Sequence, residues 1–359
     1  MPSSPEPPLL IAVALSIESC AIARTLRARL VHVGMRARHA DRLDAALLAE
    51  PDSAVAVAGV AGALSDRLRP GQVVVADEVR STEGVRRCPS APLLASALRD
   101  TGLTVHVGPV LEASRAMLTS RRTAVDGALA VDLESATLLA RTEGHPTAVV
   151  RVISDTPRHQ LVHPGTLATG FTALRTLSRV GDPLRRWAAA TGDRTLLLAS
   201  PRSRRTKARP CTRRGKRGGA LAHGQDRPVL VSSAEEAARL VVPKASGISA
   251  RTQMTLALAQ RADVVLVAGT ADSTYTRCLV ELARRTGTPV HLVTEVSDID
   301  LDWLTGAWTV GVSAGAAARA ELVVEIVDAL CGLGPVAVRE ITTAPADDHR
   351  FVCEEVNPT

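Results

Sequence analysis

Two acidic sites carry the most specific chemistry in the sequence. Asp132 and Glu134 stand at the head of the apolar run Ala136, Leu138, Leu139 and Ala140, and Asp155 directly follows the β-branched run Thr147 to Ile153. Carboxyl groups placed like this can divide acid–base work, one giving a proton to a leaving group while another accepts hydrogen bonds from hydroxyls or takes a proton from water. The first run suits a helix stopping near Gly144 and Pro146, with Asp132 and Glu134 in its first turn. The second reads as a strand, which puts Asp155 at a strand's C-terminal end, where open α/β sheets hold their ligands. A plainer account stands beside this one: acids favour helix N-termini, and Asp caps turns without touching a ligand.

The elements that must position these acids precede them. Met1 to Pro8 is a Pro/Ser-rich tail. Leu9 to Leu15 is a continuous apolar strand of the buried parallel type and leads through Ser16 into a helix carrying Glu18. Leu30 to Val33 is a second strand, followed by a turn at Gly34 and Met35. Ser53 to Ala58 is a third, followed by the small-residue stretch Gly59-Val60-Ala61-Gly62, and a Pro70-Gly71 turn leads into a buried strand to Asp77. Helix Pro92 to Leu103 and strand Val105 to Val110 come next.

The ordered motifs Val131-Asp132-Leu133-Glu134-Ser135 and Arg151-Val152-Ile153-Ser154-Asp155 resemble those of the nucleoside phosphorylase and nucleosidase superfamily, with Leu133 where Met is usual. The resemblance covers about Leu9 to Trp187 and is nearest to the short hopanoid-associated phosphorylase branch. It implies a three-layer α/β/α domain in which Glu134, with Leu133, holds the ribose hydroxyls and Asp155 protonates the purine leaving group. Such roles fit N-glycosidic cleavage, which builds oxocarbenium character on the ribose and negative charge on the base. Glu18 matches the acid that activates water in the hydrolase branch; its alternative is a first-turn Glu facing solvent. Gly34, Met35, Gly59 and Gly62 match ribose- and base-binding turns. Arg36 replaces the second Gly of the family's Gly-Met-Gly-Pro turn, either as a phosphate ligand or as a solvated side chain.

Composition bounds the rest. Hydrophobic residues are 46% of 359, ample for cores, but aromatics are 2%, so the cores must be built of Ala, Val and Leu. Net charge is +6, yet nine basic residues lie in the acid-free run Arg202 to Arg217; without them 34 basic residues face 37 acidic ones. The excess is local and does not make the folded parts a nucleic-acid binder. That run, through Asp226, lacks apolar periodicity and reads as a linker. The six cysteines (Cys20, Cys88, Cys211, Cys278, Cys331, Cys353) show no C-x-x-C pair. With no basic start and no long apolar run, a cytoplasmic location is expected.

Beyond the linker, strands and helices alternate: strand Val229 to Val231, helix Ser233 to Leu240, strand Ala262 to Gly269, helix Ser273 to Arg285, strand Pro289 to Thr294, strand Trp308 to Val312 and helix Arg319 to Leu330. Two strand ends open into hydroxyl-rich loops at Thr270–Thr274 and Ser313–Ala316, which could cradle phosphate or simply cap helices. Ala262 to Gly269, Trp303, and Thr309 to Ala316 resemble the C-terminal part of LytB-type 4-hydroxy-3-methylbut-2-enyl diphosphate reductases. Arg251 to Leu256 resembles their Thr-Gln-Thr-Thr-Leu loop, and Leu198 to Arg202 their opening strand. The resemblance implies diphosphate binding by Thr255, Ser273, Thr274 and Ser313, with Tyr275 and Ala317 standing where the family has Asn and Ser. It also implies a 4Fe-4S cluster, but the three motifs that carry its cysteines are absent.

The sequence therefore predicts an α/β fusion: a tail (1–8), a phosphorylase-like domain (9–190), a strand remnant with basic linker (195–226), a partial LytB-type domain of parallel α/β type (227–332) and a C-terminal tail (333–359). Its expected ligands are a nucleoside or nucleoside-linked lipid and a diphosphate, with no metal or other cofactor and with homo-oligomerisation through the first domain. The expected activity is nucleoside cleavage with an inactive reductase part; the alternative is a non-catalytic binding or assembly module.

Overall fold

The computed structural model describes residues 7–23, 28–113, 127–156, 166–199, 248–315 and 318–341. The expected linker, strand Val229 to Val231, helix Ser233 to Leu240, and Ala316 and Ala317 lie outside these residues. The chain divides into two compact units. Unit 1 is Met1–Asp193, Glu295–Gly306 and Asp328–Pro335; unit 2 is Arg194–Thr294, Ala307–Val327 and Val336–Thr359.

Unit 1 is a mixed sheet flanked by helices. In chain order its strands are β1 (Leu9–Val13), β2 (Arg29–His32), β3 (Ala54–Ala63), β4 (Val73–Val75), β5 (Glu78–Ser81), β6 (Gly84–Arg87), β7 (Val105–Val107), β8 (Val110–Glu112), β9 (Ala130–Asp132) and β10 (Thr147–Asp155). The order across the sheet is β6-β5-β8-β9-β3-β10-β4-β7, with β1 pairing both β2 and β3. The strand β3 (AVAVAGVAGA) is buried along nearly its whole length, so both its faces are covered, as its unbroken small apolar run requires. Its Val55, Val57, Ala61 and Ala63 share one core with Leu43, Ala46 and Leu47 of α2 (Asp41–Ala49), and with Leu138 and Leu139 of α4 (Ser135–Leu139). The helix α5 (Thr166–Leu177) packs on β10.

Three expectations for unit 1 are corrected. The chain from Gly59 to Ala63 continues β3 instead of opening a loop, because parallel β10 pairs with it from Gly59 to Gly62 and antiparallel β9 pairs with Gly62 and Ala63. Asp132 ends β9, and Glu134 is the N-cap of α4, so neither acid lies within a helical turn. Val105 to Val110 is broken at Gly108 into β7 and β8, which pair with different strands.

Unit 2 holds a wholly parallel sheet of β11 (Arg194–Ala199), β12 (Val264–Ala268), β13 (Val290–Val293), β14 (Thr309–Ala314) and β15 (Val336–Ile341), in the order β13-β12-β14-β11-β15. What reads in sequence as a strand remnant is thus an interior strand, β11, bonded to β14 and β15. Residues expected as the C-terminal tail supply β15. Arg251 to Leu256, expected as a loop, lie within the helix α7 (Ile248–Ala259), whose Met254, Leu258 and Ala259 enter the core. The helix α8 (Thr274–Arg284) buries Thr276, Leu279, Val280 and Ala283, one face at helical spacing. The last helix among the described residues is α9 (Ala320–Cys331). Strand β12 leads outward to β13, whereas β14 leads the other way, past β11, to β15; the crevice of such a sheet lies where the order reverses, between β12 and β14.

Candidate active site

The centre of unit 1 is a charge that sequence patterning hides. Arg151 sits in the middle of β10 and is fully buried, with its Cα opposite Gly59 of β3. A guanidinium cannot remain there without partners. Its Nε is 2.6 Å from Asp132 Oδ2, and its Nη2 is 3.2 Å from Glu134 Oε1. Both nitrogens also donate to Ser135 Oγ, at 3.2 and 2.8 Å. The Ser135 hydroxyl in turn donates to Asp132.

Glu18 completes the cluster. It is 1% exposed, which removes the solvent-facing alternative. Its Oε2 accepts from the amides of Ala14 (3.2 Å) and Leu15 (2.8 Å), and its Oε1 from the amide of Val60 (2.7 Å). Gly59 explains how the groups meet: a Cβ there would lie 2.7 Å from both Arg151 Nη1 and Glu18 Oε1. The value of this glycine is room for two charged side chains, not a turn.

Three carboxylates therefore surround one guanidinium. Burial is the largest influence on Glu134 and pushes its carboxyl up to about 7; Arg151 pulls down, while Asp132 and Glu18 push up further. The backbone of Arg36 also pulls it down. For Arg151, burial works toward loss of the proton, but the carboxylates of Asp132, Glu134 and Glu18 outweigh it and raise the pKa above the ordinary arginine value.

Asp155 ends β10 opposite Gly62 of β3, after a register shift between Ile153 and Asp155. It is 3% exposed, and its Oδ1 accepts from Ser154 Oγ at 2.9 Å. The structure thus joins Glu18, Glu134 and Gly59 in one cluster and sets Asp155 and Gly62 at the same strand ends. Gly34 (φ 70) begins the turn that carries Arg36, Met35 is 51% exposed, and Leu133 is half-buried. Arg151 and Ser135 are the residues that sequence reasoning did not assign; a lone Arg in an apolar strand was the available signal.

In unit 2 the hydroxyl residues gather at the β12–β14 crevice. Thr255 and Ser313 are hydrogen-bonded at 2.7 Å. Ser273 caps α8, accepting from the amide of Thr276 at 3.2 Å, and Thr274 is exposed at the first position of that helix. Tyr275 lies 3.4 Å from Thr252 through their hydroxyls. Thr276 is fully buried between the backbones of Gly269 and Gly315, and its Oγ1 has no hydrogen-bond partner among the described residues. Among these residues no group of three or more His, Cys, Asp or Glu side chains could hold a metal ion, and no helix is long and apolar enough to cross a membrane.

Comparison with known proteins finds sequence similarity in the C-terminal segment. Residues 246–331 match the LytB protein family model. A 4-hydroxy-3-methylbut-2-enyl diphosphate reductase of Edwardsiella ictaluri (strain 93-146) is 47% identical over 91 residues, 25% of this chain and 29% of that protein. A second such reductase, from Mycobacterium bovis, is 46% identical over 82 residues, 23% of this chain and 25% of that protein. The chain therefore spans less than a third of the length of these curated relatives. Among solved structures, a 5'-methylthioadenosine/S-adenosyl homocysteine nucleosidase of Helicobacter pylori aligns with 50% of this chain and 97% of its own, at 14% identity and a TM-score of 0.43. A futalosine hydrolase mutant of the same organism aligns with 49% of this chain and 97% of its own, at 14% identity and a TM-score of 0.45.

Proposed function

We propose that unit 1 hydrolyses the N-glycosidic bond of a purine nucleoside. The observation that carries this reading is the buried cluster of Glu18, Asp132, Glu134 and Arg151 beside the strand end that bears Asp155. Ionised Glu134 accepts hydrogen bonds from the ribose diol and fixes the sugar. Asp155 passes a proton to a ring nitrogen as the C1′–N bond lengthens. Water forms the new C1′–O bond and loses a proton to Glu18, so the products are free base and free ribose. Three amides hold Glu18 in place for that step. Water, not phosphate, suits the site: three carboxylates against one guanidinium repel an incoming dianion but not a neutral nucleophile.

The test is base release from a panel of purine nucleosides, with and without phosphate. Base should appear with free ribose and without dependence on phosphate, and Asp155→Asn should slow it about 10²- to 10⁴-fold. An unchanged rate in Asp155→Asn, or no release from any nucleoside, overturns the reading.

For unit 2 we propose that the LytB segment has lost cluster chemistry and keeps an anion-holding crevice at Thr255, Ser273, Thr274 and Ser313. An iron–sulfur cluster of the reductase type needs three thiolates. The one described cysteine of unit 2 is Cys278 on α8. Anaerobic reconstitution with iron and sulfide should give no stoichiometric cluster; a brown, iron-loaded protein that reduces the diphosphate substrate would refute this.

A further inference from the structure

We infer that the segment Glu295–Gly306, which lies inside the LytB-matching stretch, is the permanent occupant of a docking face on unit 1, and that unit 1 needs it to stay folded. The inference goes beyond the glycosidase reading and does not depend on it. It gives the LytB-like sequence a task that needs no cluster, namely to cover the surface of another fold.

The face is built by α3 (Ala91–Asp100) and α6 (Gly181–Ala189). A helix lying on a sheet needs one apolar stripe. The helix α3 has two: Ala91, Leu94, Ala95 and Leu98 are buried at i, i+3, i+4 and i+7, and Leu93 and Ala97 are buried on the opposite side. Strands β4 and β7 can cover only one of them. Also packed on α3 are α6 and the turn Val296–Asp298, and the short helix Leu301–Leu304 packs on both α3 and α6. Within the segment Val296, Ile299, Leu301 and Leu304 are buried.

Polar contacts fix the register. Ser96 Oγ on α3 donates to the carbonyl of Ser297 at 2.6 Å. Arg186 on α6 spans two acids of the segment, its Nη2 lying 2.7 Å from Asp300 Oδ1 and its Nε 3.1 Å from Asp302 Oδ1. Asp300 is itself held in place, because it caps the short helix and accepts from the amide of Asp302 at 3.0 Å. Partly exposed ion pairs add little adhesion, so the apolar residues supply it and the charges decide where the segment lies. Just past the matched stretch the chain meets α3 again: a Cβ on Gly332 would lie 2.5 Å from the amide nitrogen of Ser90, the residue before that helix.

The segment's place in the chain is at odds with its place in the fold. It is the crossover from β13 to β14, parallel strands of unit 2. Such a crossover ordinarily carries a helix that covers its own sheet. This one carries a turn and a helix of 4 residues, and it is drawn into unit 1.

The experiment is peptide-resolved hydrogen–deuterium exchange on the full chain, read without substrate, so its outcome is separate from that of the base-release assay. Leu304→Ala should speed exchange in α3 and α6 at least about tenfold while β12 keeps its rate. Faster exchange confined to β12, β13 and β14, with α3 and α6 unchanged, overturns the inference. If Leu304→Ala yields no folded protein, Arg186→Gln decides. It should speed exchange in α6 and in residues 295–306 about two- to fivefold, and that effect should vanish in a chain that already carries Asp300→Asn and Asp302→Asn. An effect of equal size in both backgrounds, or none in residues 295–306, means that the face does not hold the segment and overturns the inference as well.

Discussion

The polar groups buried at the centre of unit 1 and those at the crevice of unit 2 are satisfied in different ways. In unit 1 a guanidinium is enclosed by carboxylates, and those of Glu18 and Asp132 are further bonded to backbone amides or to Ser135. In unit 2, hydroxyls pair with one another or cap a helix, and Thr276 Oγ1 is left over. Burying full charges is costly and needs mutual compensation, so removing one member leaves the others stranded. A set of hydroxyls makes a weaker demand and tolerates loss. The first arrangement can move protons; the second can only hold something.

The sharpest way to break this contrast is Arg151→Met, which leaves three buried carboxylates without a counter-charge. It should cost about 3–5 kcal/mol in chemical denaturation. By comparison, Ser313→Ala, which removes one hydroxyl of a neutral pair, should cost about 1 kcal/mol. Equal costs for the two would mean that the cluster is no more demanding than the crevice.

Next in size is pH. The Glu134 carboxyl is raised from 4.5 to about 7, so between those values the folded protein binds a proton that the unfolded chain does not. This contribution to stability is present below about 4.5 and is lost as pH rises toward 7. Activity should move the opposite way, kcat/KM increasing through about 7 as Glu134 ionises and can accept the diol. Glu134→Gln should flatten the stability profile in that window, and a profile unchanged by this substitution would remove Glu134 as the titrating group.

Gly59→Ala follows. Its methyl group would press on Arg151 and Glu18, both locked in the cluster, for a cost of about 1–3 kcal/mol. The same substitution at Gly84, which has open space around it, tests the baseline, although its φ of 132 adds strain of its own. Smallest is Thr276→Val, which replaces an unpaired buried hydroxyl with a methyl of similar shape and should be neutral or slightly stabilising. A loss above about 1 kcal/mol would show that the hydroxyl is bonded after all.

The two regions were also legible to different degrees. Glu18, Glu134 and Asp155 could be found because each acid stands where an apolar run begins or ends. Arg151 was hidden because it lies inside such a run, where periodicity reports a strand and says nothing of the charges brought to it from Glu18 and Asp132, far away in sequence. Gly59 was read as a turn because glycine's two uses, positive φ and empty space, look alike in a sequence. In unit 2, α7 escaped because buried Thr252 and Thr255 occupy positions where apolar residues would have marked the helical period. β15 escaped because its partner β11 lies far upstream, and pairing at such separation leaves no local trace.

That separation has a consequence during synthesis. β11 is a strand of mostly apolar residues whose neighbours in the sheet, β14 and β15, begin at Thr309 and Val336, the nearer 110 positions after Ala199. At a translation rate of about 5–20 residues per second, the ribosome delivers β11 roughly 5–20 s before anything can pair with it. For that interval both of its hydrogen-bonding edges are open, and Leu196, Leu197 and Leu198 have no core to enter. The nascent chain is then most exposed to chaperones, and to other copies of itself, at a strand that ends in the interior of a finished sheet.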